Sequence, residues 1–493
     1  MSFSRLTASE MREGLLKGEF SSVDLTKDAL SRIESTNEVY NSFVRTSAES
    51  AVRDAESADK LIKSNGSSTD LLTGIPVGVK DIILTKGLET TACSKILTGF
   101  IPPYDSTVVK KIKKSAGVIV GKTNNDEFCM GSSTESSHYG PTKNPWDVER
   151  VPGGTSGGSA AAVTLGQVPI ALGTDTGGSV RQPASLCGCV GIKPTYGRVS
   201  RYGVIAYASS LEQVGVLSRS VKDSALMLST IAGACKNDST SMNVEVPNYY
   251  NQLIESSGKG LKGLRVGVPK EYFIDGMQTE VEDEVRRSLK TLEKLGATLV
   301  EISLPHTKYA LPCYYVLAPA EASSNLARYD GIRYGYRSSE AKSLSEVYQK
   351  TRAEGFGSEV KRRILVGSYV LSTGYYDAYY LKAQSVRTLI INDFKQAFNN
   401  DCDVIAAPVS PTTAFKIGEK IDSPAQMYLG DVFTITINLA GVPAISVPCG
   451  FDKSGLPIGV QFIGPAFSES LLFNVANEFE LEEKFPVHEK ASV

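Results

Sequence analysis

Seven short apolar runs recur along the chain, at residues 75–79, 117–121, 168–173, 264–268, 403–407, 443–448 and 457–463, and helical patterns separate many of them. Continuous apolar runs suit strands whose two faces are both covered, and the intervening helices supply the covering layers. The pattern predicts an α/β protein. Two capped helices open the chain: Thr7 with Glu10 and Ser21 with Asp24 are spaced as N-terminal caps, and Leu25, Ala29 and Ile33 then recur at helical intervals. A further helix is expected over Ala160 to Leu165, and the polar stretch from Lys236 to Gly260 reads as an excursion over the surface. With 493 residues the chain has room for one large domain or several ordinary ones, and it contains no internal repeat.

The third run delivers the chemistry. Val168 to Leu172 leads directly into Gly173-Thr174-Asp175-Thr176-Gly177-Gly178-Ser179. Glycines beside a hydroxyl nucleophile let backbone N–H groups approach a reacting carbonyl and stabilise its oxyanion. A second glycine-rich loop, Gly153-Gly154-Thr155-Ser156-Gly157-Gly158-Ser159, lies upstream, and Lys80 interrupts the apolar run from Ile75 to Ile83. The chain has three histidines, His138, His306 and His488, none in a recognisable nucleophile–base context. No Gly-x-Ser-x-Gly elbow surrounds Ser179. A serine hydrolase using lysine as its base fits these facts, because a lysine placed among apolar residues can be desolvated enough to act as an amine. The plain alternative for Lys80 is a strand-end lysine reaching water or paired with Asp81.

These motifs resemble the amidase signature family. The matching residues are Gly78-Val79-Lys80-Asp81, the loop Gly153 to Ser159, and Gly173 to Ser179 followed by Val180-Arg181-Gln182-Pro183. The intervals match too, 75 residues from position 80 to 155 and 24 from 155 to 179. The resemblance implies an α/β/α fold on a large mixed sheet covered by helices on both faces. It further implies a single domain over residues 1–493, with N-terminal helices over about 1–65, a catalytic core over about 66–235 and a helical insertion over about 305–395. By the same resemblance Lys80 is the base, Thr155 the proton bridge and Ser179 the nucleophile, with the backbone N–H groups of Thr176, Gly177 and Gly178 as the oxyanion hole. The family normally has serine, often after a cis peptide bond, where this chain has Thr155. Threonine keeps the hydroxyl but adds a methyl that restricts χ1. The adjacent Ser156 falls one residue short of the family interval.

Within the family the resemblance is strongest to the glutamine-hydrolysing subunits of tRNA-dependent amidotransferases. It runs through Lys122 to Phe128, Met130 to Glu135, Tyr196 to Gly203, Ser323 to Gly331, Glu354 to Gly357 and Lys361 to Ile364. Glutamine is a zwitterion, so its pocket needs a cation for the carboxylate and an anion for the ammonium. The resemblance assigns Arg363 and Asp431 to those tasks and lines the pocket with Gly131 and Tyr314. Read alone, Arg363 would be one more charge on the solvated face of a helix over Glu359 to Leu365, and Asp431 a cap or surface carboxylate. The resemblance implies a heterotrimer with B and C subunits, a misacylated Glu-tRNA(Gln) or Asp-tRNA(Asn) as acceptor, and no cofactor in this chain, ATP and Mg being used by the partner. Two other readings stay open: a free-standing amidase acting on other carboxamides, and a scaffold protein of the complex whose chemistry is impaired.

Composition narrows the field. Lys and Arg number 52 against 54 Asp and Glu, a formal charge of −2, which argues against this chain alone gripping a polyanion. The basic run Lys110 to Lys114 is expected to be a solvated helix face. No apolar stretch reaches membrane-span length and no signal-like segment opens the sequence, so a cytoplasmic protein is expected. Eight scattered cysteines, of which only Cys187 and Cys189 are near neighbours, read as reduced core residues, and no structural metal is expected. Neither glycine-rich loop is followed by the lysine of a phosphate-binding loop.

Overall fold

A computed structural model describes residues 3–421 and 423–486; His488 lies outside them. Eleven strands form one sheet: β1 (Phe43–Thr46), β2 (Pro76–Lys80), β3 (Val118–Thr123), β4 (Ile170–Asp175), β5 (Val190–Lys193), β6 (Gln213–Ser218), β7 (Arg265–Pro269), β8 (Thr298–Ile302), β9 (Val404–Pro408), β10 (Ala444–Phe451) and β11 (Pro457–Ile463). Their spatial order is β1-β3-β2-β4-β6-β5-β10-β11-β9-β7-β8. The sheet is mixed. Strand β2 runs parallel to both β3 and β4, and β7 runs parallel to both β8 and β9, while the pairs from β4 through β6, β5, β10 and β11 to β9 are antiparallel.

All seven expected runs are strands, each within two residues of its expected start. The four others have physical reasons for being silent in the sequence. Strands β1 and β8 are sheet edges, where Arg45, Thr46, Thr298 and Glu301 keep water contact and break up the apolar run. Strand β5 is short, and β6 is diluted by Gln213, Gly215 and Ser218 although every residue in it is buried.

Both N-terminal capping boxes form, on helices Ala8–Lys17 and Ser22–Tyr40. A third helix, Ala48–Asn65, follows β1. The helix after the first glycine loop spans Gly157–Thr164, beginning three residues before its expected start. The basic run lies on helix Thr107–Lys114, which buries Val108, Val109 and Ile112. One expectation needs correction: the stretch Lys236–Gly260 is not all surface loop. It contains helix Tyr249–Ser256, which buries Tyr249 and Leu253, and Tyr249 packs against Phe473 with ring centroids 5.6 Å apart. The polar residues around that helix mask two anchors at i, i+4.

Between β8 and β9 lie helices Ala310–Asn325, Leu344–Gly355, Ser358–Val370 and Lys382–Gln396. The first and third approach closely enough that a Cβ on Gly367 would sit 1.9 Å from the carbonyl oxygen of Pro319. Glycine permits this crossing, and it brings Tyr314, Tyr315 and Arg363 into one cluster. No helix among the described residues is long and apolar enough to cross a membrane.

Candidate active site

Parallel pairing of β2 with β3 and β4 aligns the C-terminal ends of the three strands, and Lys80, Thr123 and Asp175 are their last residues. Loops leaving such ends converge on a common crevice. The register sets Val79 opposite Leu172, which carries Lys80 to the level of Gly173, one residue before Thr174.

Lys80 is fully buried. Its Nζ donates to Thr155 Oγ1 at 2.7 Å, Ser156 Oγ at 2.8 Å and Thr174 Oγ1 at 3.0 Å. No carboxylate forms an ion pair with it among the described residues. Asp81, the partner in the plain alternative, is instead bonded to Arg45 at 2.7 Å and to the Thr91 hydroxyl at 2.5 Å. Lys80 neither reaches water nor pairs with its neighbour.

Thr155 and Ser156 differ in what else they touch. Ser156 Oγ donates to the Thr174 carbonyl at 3.2 Å and accepts from the Thr174 N–H at 3.3 Å, so its hydrogen-bonding capacity is spent. Thr155 Oγ1 makes no hydrogen bond besides the one from Lys80 among the described residues. The Gly154–Thr155 peptide bond is cis. The Ser156 N–H donates to the carbonyl of Ser179 at 3.1 Å, which joins the two glycine loops directly.

The loop carrying Ser179 is held from beneath. Asp175 accepts from the N–H of Gly178 at 2.9 Å and of Val180 at 3.2 Å, and Arg181 grips the same carboxylate with Nε and Nη2, both at 3.0 Å. Burial alone would raise the Asp175 carboxyl, but the bonded guanidinium outweighs it and holds the group at about 2. Asn438 and Gln461 complete the Arg181 shell, and Thr434 Oγ1 donates to the Gly177 carbonyl at 2.6 Å. Gly178 has φ +127°, and a Cβ there would meet Thr434 Oγ1 at 2.2 Å. The Gly178 N–H is thus committed to Asp175, whereas those of Thr176, Gly177 and Ser179 have no acceptor among the described residues. Ser179 itself is 9% exposed.

Opposite this loop stands the aromatic cluster of the helical segment. Tyr314 lies so close that a Cβ on Gly177 would be 2.9 Å from its hydroxyl oxygen. Arg363 is 3% exposed, not on a solvated face. Its Nε donates to Glu359 Oε1 at 2.7 Å and its Nη1 to the Tyr207 hydroxyl at 2.7 Å. The guanidinium carbon lies 5.7, 5.5 and 5.4 Å from the ring centroids of Tyr207, Tyr315 and Tyr428, a cation–π cage. Nη2 is left without a protein acceptor among the described residues.

Asp431 is also buried and accepts from Ser132 Oγ at 2.6 Å. Burial pushes its carboxyl up to about 7, against the opposing pull of Ser132 and Arg363. Gly131 opens the same loop and faces Asp126, whose carboxylate would lie 2.4 Å from a Cβ at that position. Asp126 in turn binds the N–H of Thr134 at 2.8 Å and the hydroxyl of Ser136 at 2.9 Å, organising the loop. Gln182 ties this loop to the first glycine loop, donating to the Ser132 carbonyl at 3.0 Å and accepting from the Gly154 N–H at 2.9 Å.

The structure therefore bonds Lys80, at the end of β2, to Thr155 on the first glycine loop, joins that loop to the one carrying Ser179, and sets Tyr314 against the second loop. Ser132, Tyr207, Tyr315, Glu359 and Tyr428 also belong to this neighbourhood, and the sequence does not single them out as site residues. Tyr428 lies three residues before Asp431, and a tyrosine that close to a pocket carboxylate is its only signal. Neither described histidine bonds Ser179; His306 pairs with Asp393 at 2.8 Å. No group of three or more His, Cys, Asp or Glu among the described residues is placed to hold a metal ion.

A fold and site of this kind define an amidase, and residues 24–473 match the amidase family model. The chain belongs to that family. It is 56% identical over 480 residues to the A subunit of glutamyl-tRNA(Gln) amidotransferase from Geotalea daltonii, covering 97% of this chain and 98% of that protein. It is 54% identical to the protein of the same name from Carboxydothermus hydrogenoformans, with 97% and 98% covered. Among solved structures it is similar to the glutamyl-tRNA(Gln) amidotransferase A subunit of Thermotoga maritima, at 42% identity and TM-score 0.80, over 100% of this chain and 97% of that one. It also resembles the peptide amidase of Stenotrophomonas maltophilia, at 27% identity and TM-score 0.82, over 99% of each.

Proposed function

We propose that this chain is the glutamine-hydrolysing component of a tRNA-dependent amidotransferase, built as one domain, and that Lys80, Thr155 and Ser179 carry the hydrolysis. The observation that carries this reading is the buried Lys80 bonded at 2.7 Å to Thr155, on a loop joined to Ser179, in a chain 56% identical to a glutamyl-tRNA(Gln) amidotransferase A subunit.

The relay follows from the donors and acceptors. Ser179 Oγ attacks the side-chain carbonyl carbon of glutamine and passes its proton to Thr155 Oγ1, while Thr155 gives its own proton to the Lys80 amine. Backbone N–H groups of Thr176 and Gly177 stabilise the tetrahedral oxyanion. Gly178, expected to join them, acts here by fixing the loop through Asp175. The proton returns through Thr155 to the departing nitrogen, and ammonia leaves. Water then gives its proton to the same relay and attacks the Ser179 ester, and the proton returns through Thr155 to Ser179 Oγ as the ester bond breaks and glutamate leaves. Thr155 is preferred to Ser156 as the bridge because Ser156 is saturated by the Thr174 backbone.

Substrate selection rests on charge. Arg363, held by Glu359 and Tyr207 with Nη2 open, takes the glutamine carboxylate. Asp431 takes the ammonium, with Gly131 and Tyr314 bounding the pocket. The ammonia passes to a partner within a cytoplasmic heterotrimer with B and C subunits, and that partner uses ATP and Mg to activate the side-chain carboxylate of the misacylated tRNA. The test is ammonia release from glutamine and from a panel of apolar amides, using the chain co-expressed with its partner subunits and a Ser179→Ala control. Glutamine-selective release that vanishes in the control is the expected result. Release from apolar amides alone would make the protein a free-standing amidase.

A further inference from the structure

The three hydroxyls around Lys80 Nζ are not equivalent, and the difference points the amine. A neutral amine has two N–H bonds and one lone pair, whereas a hydroxyl has one proton and two acceptor sites. Ser156 sends its proton to the Thr174 carbonyl, so toward Lys80 it only accepts. The Thr174 hydroxyl has a second neighbour besides Lys80, Cys129 Sγ at 3.3 Å. The Thr155 hydroxyl has no other partner among the described residues.

We propose that Thr174 is a positioning residue for Lys80, with Cys129 Sγ as the acceptor that turns the Thr174 hydroxyl proton away from the amine. Both N–H bonds of the amine then point at Ser156 and Thr174, and its lone pair faces Thr155. When the Thr155 proton transfers, the resulting ammonium meets three hydroxyl acceptors. The backbone supports this placement: Phe128 and Cys129 both occupy the left-handed region, at φ +50° and +59°. Non-glycine residues rarely adopt that conformation, and here it sets a buried sulfur against Thr174. The inference rests on the lysine-base reading given above.

The test measures kcat and KM for glutamine hydrolysis in the co-expressed complex, for Thr174→Val, Thr174→Ser, Cys129→Ala, Cys129→Ser and the double variant Thr174→Val/Cys129→Ala. Orientation of a catalytic base is worth part of its total effect, so Thr174→Val is expected to lower kcat about tenfold with KM unchanged. Thr174→Ser restores it, since the hydroxyl is what matters. Cys129→Ala lowers kcat to a smaller extent, and Cys129→Ser does not. Because Cys129 acts through Thr174, the double variant is no slower than Thr174→Val alone. A wild-type kcat in Thr174→Val, failure of Thr174→Ser to restore it, or losses that multiply in the double variant would overturn the proposal. Should Thr174→Val yield no folded protein, a wild-type kcat in Cys129→Ala overturns it instead. Lys80→Ala run alongside separates the two readings: if that variant stays active, the lysine base is wrong; if it is dead while Thr174→Val is unimpaired, only the positioning role is.

Discussion

The Nη1 of Arg363 donates to the hydroxyl of Tyr207 at 2.7 Å, across 156 residues of sequence. That bond and the one to Glu359 leave the guanidinium a single open edge. An arginine so held is pre-organised for one planar anion and loses little freedom on binding it. Arg363→Ala should therefore raise KM for glutamine by roughly 10- to 150-fold, the equivalent of about 1.5–3 kcal/mol for a charged hydrogen bond, with a smaller change in kcat. Tyr207→Phe should raise KM less. An unchanged KM in Arg363→Ala would leave the arginine a structural member of the tyrosine cage.

The relay makes three substitutions separable. Ser179→Ala should reduce ammonia release to background, since no acyl-enzyme can form. Lys80→Arg should be equally inactive, because a guanidinium stays protonated at working pH. Thr155→Ser keeps the bridging hydroxyl and removes only the methyl, so activity should be retained or improved. A large loss there would show that the threonine methyl is needed to hold the loop.

Asp431 supplies a pH dependence with a definite sign. Burial lifts its carboxyl to about 7, so the pocket anion is present above that pH and lost below it. If the anion binds the glutamine ammonium, KM should rise as pH falls from 8 to 6. Asp431→Asn should have a high KM that no longer varies over that range. A wild-type KM profile that is flat across pH 6–8 would remove Asp431 from ammonium binding.

The Asp175–Arg181 pair is wholly buried. Substituting Asp175 by Asn leaves a buried guanidinium without its counter-charge, which costs roughly 3–5 kcal/mol. Chemical denaturation should show that loss. Activity should fall further than stability explains, because the Gly178 and Val180 N–H groups that shape the nucleophile loop lose their carboxylate acceptor.

Strands β2, β3, β4 and β9 can be read from the chain because both their faces are buried, which leaves a short apolar run in each. Strands β5 and β6, in the middle of the sheet and equally buried, are too short or too diluted by polar residues to show one. Edge strands β1 and β8 carry polar residues toward solvent, and nothing local distinguishes them from loop. The helix Tyr249–Ser256 is hidden for a similar reason: two buried residues in a polar stretch become anchors only when Phe473 arrives from the far end of the chain.

Which atoms are available for chemistry is written along the chain: a lysine at a strand end, two glycine loops, and hydroxyls at family intervals. Local pattern and spacing suffice for this, because strand, turn and loop are short-range consequences of apolar runs and glycine. What each atom touches is settled by packing. The folded chain gives Asp81 to Arg45 and leaves Lys80 to three hydroxyls and, at 3.5 Å, the Thr174 carbonyl. It saturates Ser156 while leaving Thr155 open, and it turns Arg363 from a helix surface into a tyrosine cage. Those outcomes depend on partners tens to hundreds of residues away, so no window of sequence contains them. The donor and acceptor balance of a buried site exists only once distant segments have met and excluded water from between them.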